Sequence, residues 1–308
     1  MKKLILPLSA FIVYSAQAVW PPSSSAQGHI NPPASLIQLP MPSPQRLTSF
    51  SRPSFPASFS GEDSNIVISN KTERYSFEEG EKAHPVIIRQ EDKTTYYCSE
   101  LRAAISWAES YDGQSSIDGV KIYVNGSRDK SILAKDEYYS SGDIFFSDER
   151  VYYFSLPFLK KGTSDEVEMQ KTTLDPRYFT SVYFPEQQAV RQKTVELIIP
   201  KWMHVEIKEM NFSGYHIKKT QQYDTRKDAD IYTYTITNIA PYRSEHNSPG
   251  PSYIYPHLFI LSKYADLKSG RQQYFNDLKD QYAWYRSLVD QIGNDPATLK
   301  AKAVEITR

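Results

Sequence analysis

The feature that most limits the fold is a repeated alternation of apolar and polar side chains. In "GVKIYVNGS", Val120, Ile122 and Val124 alternate with Lys121, Tyr123 and Asn125. An extended backbone sends the first set to one face and the second to the other, whereas a helix would scatter both around its circumference. "DIYTYTITNIA" repeats the pattern, with Tyr232, Tyr234 and Ile236 opposed to Thr233, Thr235 and Thr237. Met203, Val205 and Ile207 share a face in "WMHVEIKEMNF". "NIVISN", "HPVIIRQ", "TVELIIP" and "GYHIKKTQQY" read as further strands, and "DKTTYYCSELRAAISW" as one longer strand or a strand-bulge-strand, with a helical turn as the alternative over 101–107. Such runs, about a dozen residues apart and punctuated by Pro, Gly and Asn, predict a mainly β chain: an antiparallel two-layer β-sandwich over 62–268.

Turn chemistry refines this expectation. Asn125-Gly126 tolerates positive φ at both positions and predicts a tight hairpin. In "RVYYFSLPFLKKGTSDEVE", residues 150–168, Pro157 is expected to end a strand because it has no N–H to donate. Gly162 should then close a hairpin-like corner before Val167 and Met169 resume alternation. Lys160-Lys161 read as solvated corner charges, since a phosphate cradle needs more glycine and a following helix start. One or two C-terminal helices are expected over 269–308. Tyr274, Leu278, Tyr282, Tyr285, Val289 and Ile292 recur at steps of three or four and predict an apolar face that docks on the sandwich or on a partner. Gly293 ends that helix, and Asp295-Pro296 starts a shorter second one.

The first eighteen residues combine Lys2 and Lys3, the apolar stretch Leu4–Tyr14 and Ala16-Gln17-Ala18, the three parts of a secretory signal peptide cleaved after Ala18. The apolar stretch is shorter than the roughly 20 residues that span a bilayer, and no later run is long enough, so no transmembrane segment is expected in the mature chain. Residues 19–61 are rich in Pro and Ser and lack any period, which suits a flexible linker or a short docking peptide. These features imply export to the periplasm, the cell surface or the extracellular space of a bacterium. The single cysteine, Cys98, excludes an internal disulfide. Thirty-six basic residues balance thirty-six acidic ones with no long block of either, which argues against a nucleic-acid partner. The 23 tyrosines suit half-buried strands and also binding surfaces.

No catalytic, cofactor-binding or metal-ligating constellation is apparent. Cys98 sits in the β-type run "TTYYCSEL", with no helix start, His or basic cluster beside it to favour a thiolate, so a small buried thiol is expected. The six histidines, His29, His84, His204, His216, His246 and His257, are scattered. Asp224, Asp228 and Asp230 lack the glycine and distal Glu of a calcium loop and read as solvated turns. No Gly-x-Ser-x-Gly elbow is present. Asn70, Asn125 and Asn211 stand in Asn-x-Ser/Thr sequons that carry little meaning in a bacterial protein. Trp107, Trp202 and Trp284 could stack on sugar rings, although each lies in an apolar pattern that suits core packing.

Three stretches, "SSGDIFFSDERVYYFSLPFLKKGTSDEVE", "YFPEQQAVRQKTVELIIP" and "IYPHLFILSKY", together resemble the domain of unknown function that precedes transglutaminase-like domains in exported proteins of Bacteroides-type bacteria. The resemblance runs from about Ile66 to about Ile292 and rests on Asp143, Ser147-Asp148, Pro157, Gly162, Pro200 and Pro256-His257 in order. It implies a two-layer β-sandwich followed by a helical segment that leads into a papain-like fold. The family's catalytic cysteine, histidine and aspartate follow the sandwich, whereas this chain stops at "KAKAVEITR", which suggests either a fragment or a naturally short version. Cys98 does not match the family's catalytic cysteine and takes no catalytic role from it. The expected function is therefore a non-catalytic exported scaffold or interaction module, without cofactor, whose partner is a transglutaminase-like (or peptidase) domain or a cell-envelope protein. The alternatives are a module that binds cell-surface glycan through exposed aromatics and, less favoured, a cysteine-dependent enzyme.

Overall fold

The computed structural model describes residues 65–100, 103–139, 148–243 and 248–290, with positions 297, 300 and 304. The expected signal peptide and linker over 1–61, His29, His246, Asp143, Ser147 and all but three positions of the second C-terminal helix lie outside the described residues.

The described chain is mainly β, in three sheets. The largest contains β1 (Ile66–Glu79), β2 (Val86–Cys98), β4 (Ser115–Val124), β5 (Ser127–Asp129), β8 (Ser164–Thr173), β10 (Val190–Pro200), β12 (Lys218–Asp224) and β13 (Ala229–Ile239). Their order is β12-β13-β10-β1-β2-β8-β4-β5. A three-stranded sheet joins β3 (Ala103–Tyr111), β7 (Arg150–Phe158) and β6 (Lys135–Tyr138) in the order β3-β7-β6. The third is built on β14 (His257–Leu267), which pairs with β9 (Ser181–Tyr183), β11 (Met203–Met210) and β15 (Gly270–Gln273). Buried side chains from all three sheets form one core, so the large sheet is one layer and the two small sheets supply the other. A 3-10 turn, Pro176–Tyr178, a single helical turn α1, Pro251–Ile254, and helix α2, Leu278–Asp290, complete the architecture.

Alternation places the core. Phe77, Val86, Ile88, Val167, Val195, Leu197, Tyr234 and Ile236 are buried on the inner face of the large sheet, opposite Ile105, Leu156, Phe158, Leu258 and Ile260 from the smaller sheets. All strand pairs are antiparallel except β1 with β10. These two strands are more than a hundred residues apart, and a parallel neighbour needs such a long return connection. Asn125 and Gly126 take φ of 50° and 78° in the β4–β5 hairpin, as their sequence predicts.

Two local expectations are corrected. Pro157 does not end its strand; it pairs with Ala104 inside β7. β6 reaches only as far as Tyr153 along the other edge of β7, so the proline nitrogen meets no strand that needs its proton. The stretch 150–168 is likewise no hairpin, because β7 and β8 belong to different sheets. Its corner carries the chain from one layer to the other, with Gly162 at φ 75° donating its N–H to the Cys98 carbonyl at 2.8 Å. Similarly, "DKTTYYCSELRAAISW" divides into β2 and β3 of separate sheets.

Helix α2 starts later than its periodicity predicts and turns differently. Tyr274 lies before it, buried in the core. Trp284 anchors the helix, edge-on to Tyr178 and Phe275 at 6.0 and 5.3 Å. The expected docking stripe faces outward instead: Leu278, Tyr282 and Val289 are 81%, 66% and 64% exposed. Among the described residues no helix is long and apolar enough to cross a membrane.

Candidate functional site

Among the described residues, no histidine lies in hydrogen-bond contact with Cys98. Cys98 is fully buried at the end of β2, with its thiol donating to the Glu100 carbonyl at 3.1 Å. His84 precedes the other end of that 13-residue strand, about 40 Å away at ~3.3 Å per residue. His204 stacks on Tyr264 at 4.1 Å and meets Asp266 at 3.3 Å, while buried His257 stacks on Tyr183 at 4.8 Å. His216 is exposed. Asp224, Asp228 and Asp230 cap or pair locally: Asp224 accepts the Arg226 N–H, Asp228 the Tyr223 hydroxyl, and Asp230 pairs with Lys201. Lys160 and Lys161 are exposed, as expected of corner charges. The described residues contain no cluster of three or more His, Cys, Asp or Glu side chains able to hold a metal ion. Trp107, Trp202 and Trp284 are half-buried, and Trp107 stacks on Phe154 at 5.0 Å.

What the fold does assemble is a charged ring inside the apolar core. Lys193 is 1% exposed and Glu73 5%. The Lys193 ammonium lies 2.8 Å from Glu73 Oε1 and 2.5 Å from Glu186 Oε1, and it donates to the Tyr183 carbonyl at 2.7 Å. The Lys71 ammonium lies 2.8 Å from each of the same two carboxylate oxygens, closing a four-membered cycle. Tyr75 adds its hydroxyl to Glu73 Oε2 at 3.3 Å. Burial alone would push the Glu73 carboxyl up, but Lys193 and Lys71 outweigh it and hold the group at about 2. Burial likewise opposes the charge on Lys71, yet Glu186 and Glu73 raise that ammonium well above its ordinary value.

The ring opens onto a cavity of ≈ 130 Å³ between the large sheet and β3, bounded by Lys71, Asp92, Tyr96, Trp107, Glu109 and Glu186 among others. Asp92 stands directly across from Glu73 in the β1–β2 register. Burial and the Glu73 charge push its carboxyl up to about 8, and Lys71 only partly offsets them. Its Oδ2 accepts from Gln90 at 3.0 Å, while Oδ1 is shielded from water and has no partner. At neutral pH the group is therefore largely protonated, and it can donate as well as accept.

Sequence reasoning missed this site because strand parity changes inside β1. The pairing register shifts between Ile68 and Asn70, so Ile66 and Ile68 face inward together with Lys71, Glu73, Tyr75 and Phe77. The conflict was visible in principle: two apolar pairs on opposite parities of one strand imply an extra residue between them.

Residues 103–243, from β3 to just beyond β13, match the family model of a domain of unknown function with a solved structure, DUF3857. The match is shorter than the span of 66–292 expected from the sequence and carries no association with transglutaminase-like domains. No curated protein matches the chain. Among solved structures, a candidate protease from Parabacteroides distasonis is similar with a TM-score of 0.45 and 11% identity over 64% of this chain. The chain spans 40% of that protein's length. A candidate nutrient-binding protein from Legionella pneumophila has a TM-score of 0.35 and 8% identity over 64% of this chain and 67% of its own. An M1 zinc metallopeptidase from Deinococcus radiodurans has a TM-score of 0.32 and 10% identity over 65% of this chain and 43% of its own.

Proposed function

We propose that the chain is a non-catalytic exported β module that serves as a scaffold or interaction partner for a second domain, of the transglutaminase-like kind that the sequence resembles. The observation that carries this reading is helix α2. Trp284 packs the helix against Tyr178 of the 3-10 turn and Phe275 after β15, while Leu278, Tyr282 and Val289 form an outward apolar stripe at steps of four and seven. Exposing such side chains forgoes roughly 1.5–3 kcal/mol each, a cost that a docking partner would remove. Burial of Cys98 and the distance of His84 from it agree with a structural thiol. The glycan-binding reading has less support, because Trp107, Trp202 and Trp284 are half-buried and engaged with the fold.

The test mixes this chain with a separately produced transglutaminase-like domain from an exported protein that carries both domains. Sedimentation velocity should show a one-to-one complex. Leu278→Ser with Val289→Ser should weaken it at least tenfold, about 1.4 kcal/mol, without lowering the melting temperature. Unaltered sedimentation of the two components in the mixture would refute the reading.

A further inference from the structure

Strand β12 forms one edge of the large sheet, and among the described residues no strand pairs with its outer side. It is seven residues long, Lys218–Asp224, pairs with β13 without a register shift, and contains neither Pro nor Gly. The opposite edge, β5, has only three residues, Ser127–Asp129. Short strands, prolines and bulges are the usual devices that keep an edge from pairing with another chain, and β12 carries none of them. Lys218 to Tyr223 are all exposed, Tyr223 by 51%.

The charges on this edge are unspent. Direct register from Arg74 through Glu196 and Thr233 to Thr220 puts Lys218, Thr220, Gln222 and Asp224 on the outer face of the sheet. Charges further in on that face pair with each other: Arg74 with Glu196 at 2.9 Å, Arg89 with Asp118 at 3.0 Å and Lys93 with Glu166 at 2.6 Å. Among the described residues Lys218 has no ion-pair partner, and Asp224 meets only the backbone N–H groups of Arg226 and Lys227, both through Oδ1. Lysine commonly keeps an edge strand from pairing, but an acidic residue at the far end of the same strand makes this edge its own complement.

We propose that two copies of the chain pair antiparallel along β12, about a two-fold axis that passes through Gln221 perpendicular to the sheet. In that register Lys218 stands opposite Asp224 of the second copy and Thr220 opposite Gln222, each twice over by symmetry. A slip of two residues in either direction breaks both charge pairs, setting Lys218 against Gln222 or against Arg226. On the other face the exposed Tyr223 ring lies beside the stem of Lys219 of the second copy, whose ammonium stays with Glu209 at 2.7 Å. The pairing closes with two copies and leaves the short β5 strands as the outer edges of one continuous sheet. It shares no residue with the outward stripe on α2, so either contact can fail without the other.

Sedimentation of the full chain from about 5 to 200 µM tests this, with a dimer expected to dissociate in the ~10 µM range, as small interfaces do. Lys218→Glu sets two like-charge pairs across the axis, so it should weaken the dimer at least about fivefold and leave the melting temperature unchanged. Gln221 meets its own symmetry mate at a Cα separation of about 4.5–5.5 Å, within the range that a disulfide spans. Gln221→Cys should therefore give a covalent dimer when diamide oxidises the two facing thiols. Gln222→Cys, roughly 7–8 Å from its mate, should not. Cys98 is fully buried, so the parent chain serves as the blank. A monomer throughout the range, unchanged association in Lys218→Glu, or cross-linking of Gln222→Cys as readily as Gln221→Cys would each overturn the assignment.

Discussion

Replacing Lys193 with methionine isolates the energetics of the buried ring. Methionine keeps most of the stem volume and removes the ammonium, so little cavity forms. Glu73 Oε1 and Glu186 Oε1 each lose a cation, at 2.8 and 2.5 Å, and the Tyr183 carbonyl loses a donor at 2.7 Å. Lys71 alone must then neutralise two carboxylates in the core. Removing one partner from a buried ion pair costs about 3–5 kcal/mol, mostly because an uncompensated charge stays behind. For a domain of this size, at ~2–4 °C per kcal/mol, the melting temperature should fall by roughly 10 °C. Urea unfolding followed by tryptophan fluorescence supplies the free energy, and an unchanged slope confirms that the denatured state is the same. Adding Glu73→Gln to Lys193→Met removes the surplus negative charge and should recover about 1–3 kcal/mol. A loss below about 1 kcal/mol in Lys193→Met, or strict additivity in the double variant, would refute the view that the ring acts as one unit.

Two further outcomes are expected. Glu73 has a depressed folded value, so its contribution is present above pH 4.5 and is lost as pH falls toward about 2. Asp92 has a raised one, so the folded state holds an extra proton between pH 3.8 and about 8, and stability declines as pH rises through that window. Denaturant titrations should therefore place the optimum of these two groups near pH 4–5, and Asp92→Asn should flatten the decline toward pH 8; an unchanged slope in that variant would count against the raised value. Cys98 is fully buried, so N-ethylmaleimide should label it at least about a hundredfold more slowly in the native protein than in urea. Fast stoichiometric labelling of the native chain would instead reveal an accessible thiol.

Much of this architecture was legible from local chemistry. Alternation fixed the strand character of β4, β11 and β13, and Asn125-Gly126 specified its hairpin, because side-chain direction and turn conformation depend on a few adjacent residues. The burial of the Cys98 side chain also followed from its β-type surroundings. The outward stripe on α2 did not, since a period of 3.6 defines an apolar face without saying what covers it.

Partners distant along the chain belonged to tertiary structure alone. Lys71 and Lys193 stand opposite one another through the parallel β1–β10 pairing, and Glu73 faces Asp92 across β2. The register shift after Ile68 turns Lys71 and Glu73 inward. Read locally, these charges belong on the wet face of their strands. Only when three strands close the layer do the lysines and carboxylates become each other's solvent. Local sequence sets which way a side chain can point; the energy of pointing there depends on what the rest of the chain brings to meet it.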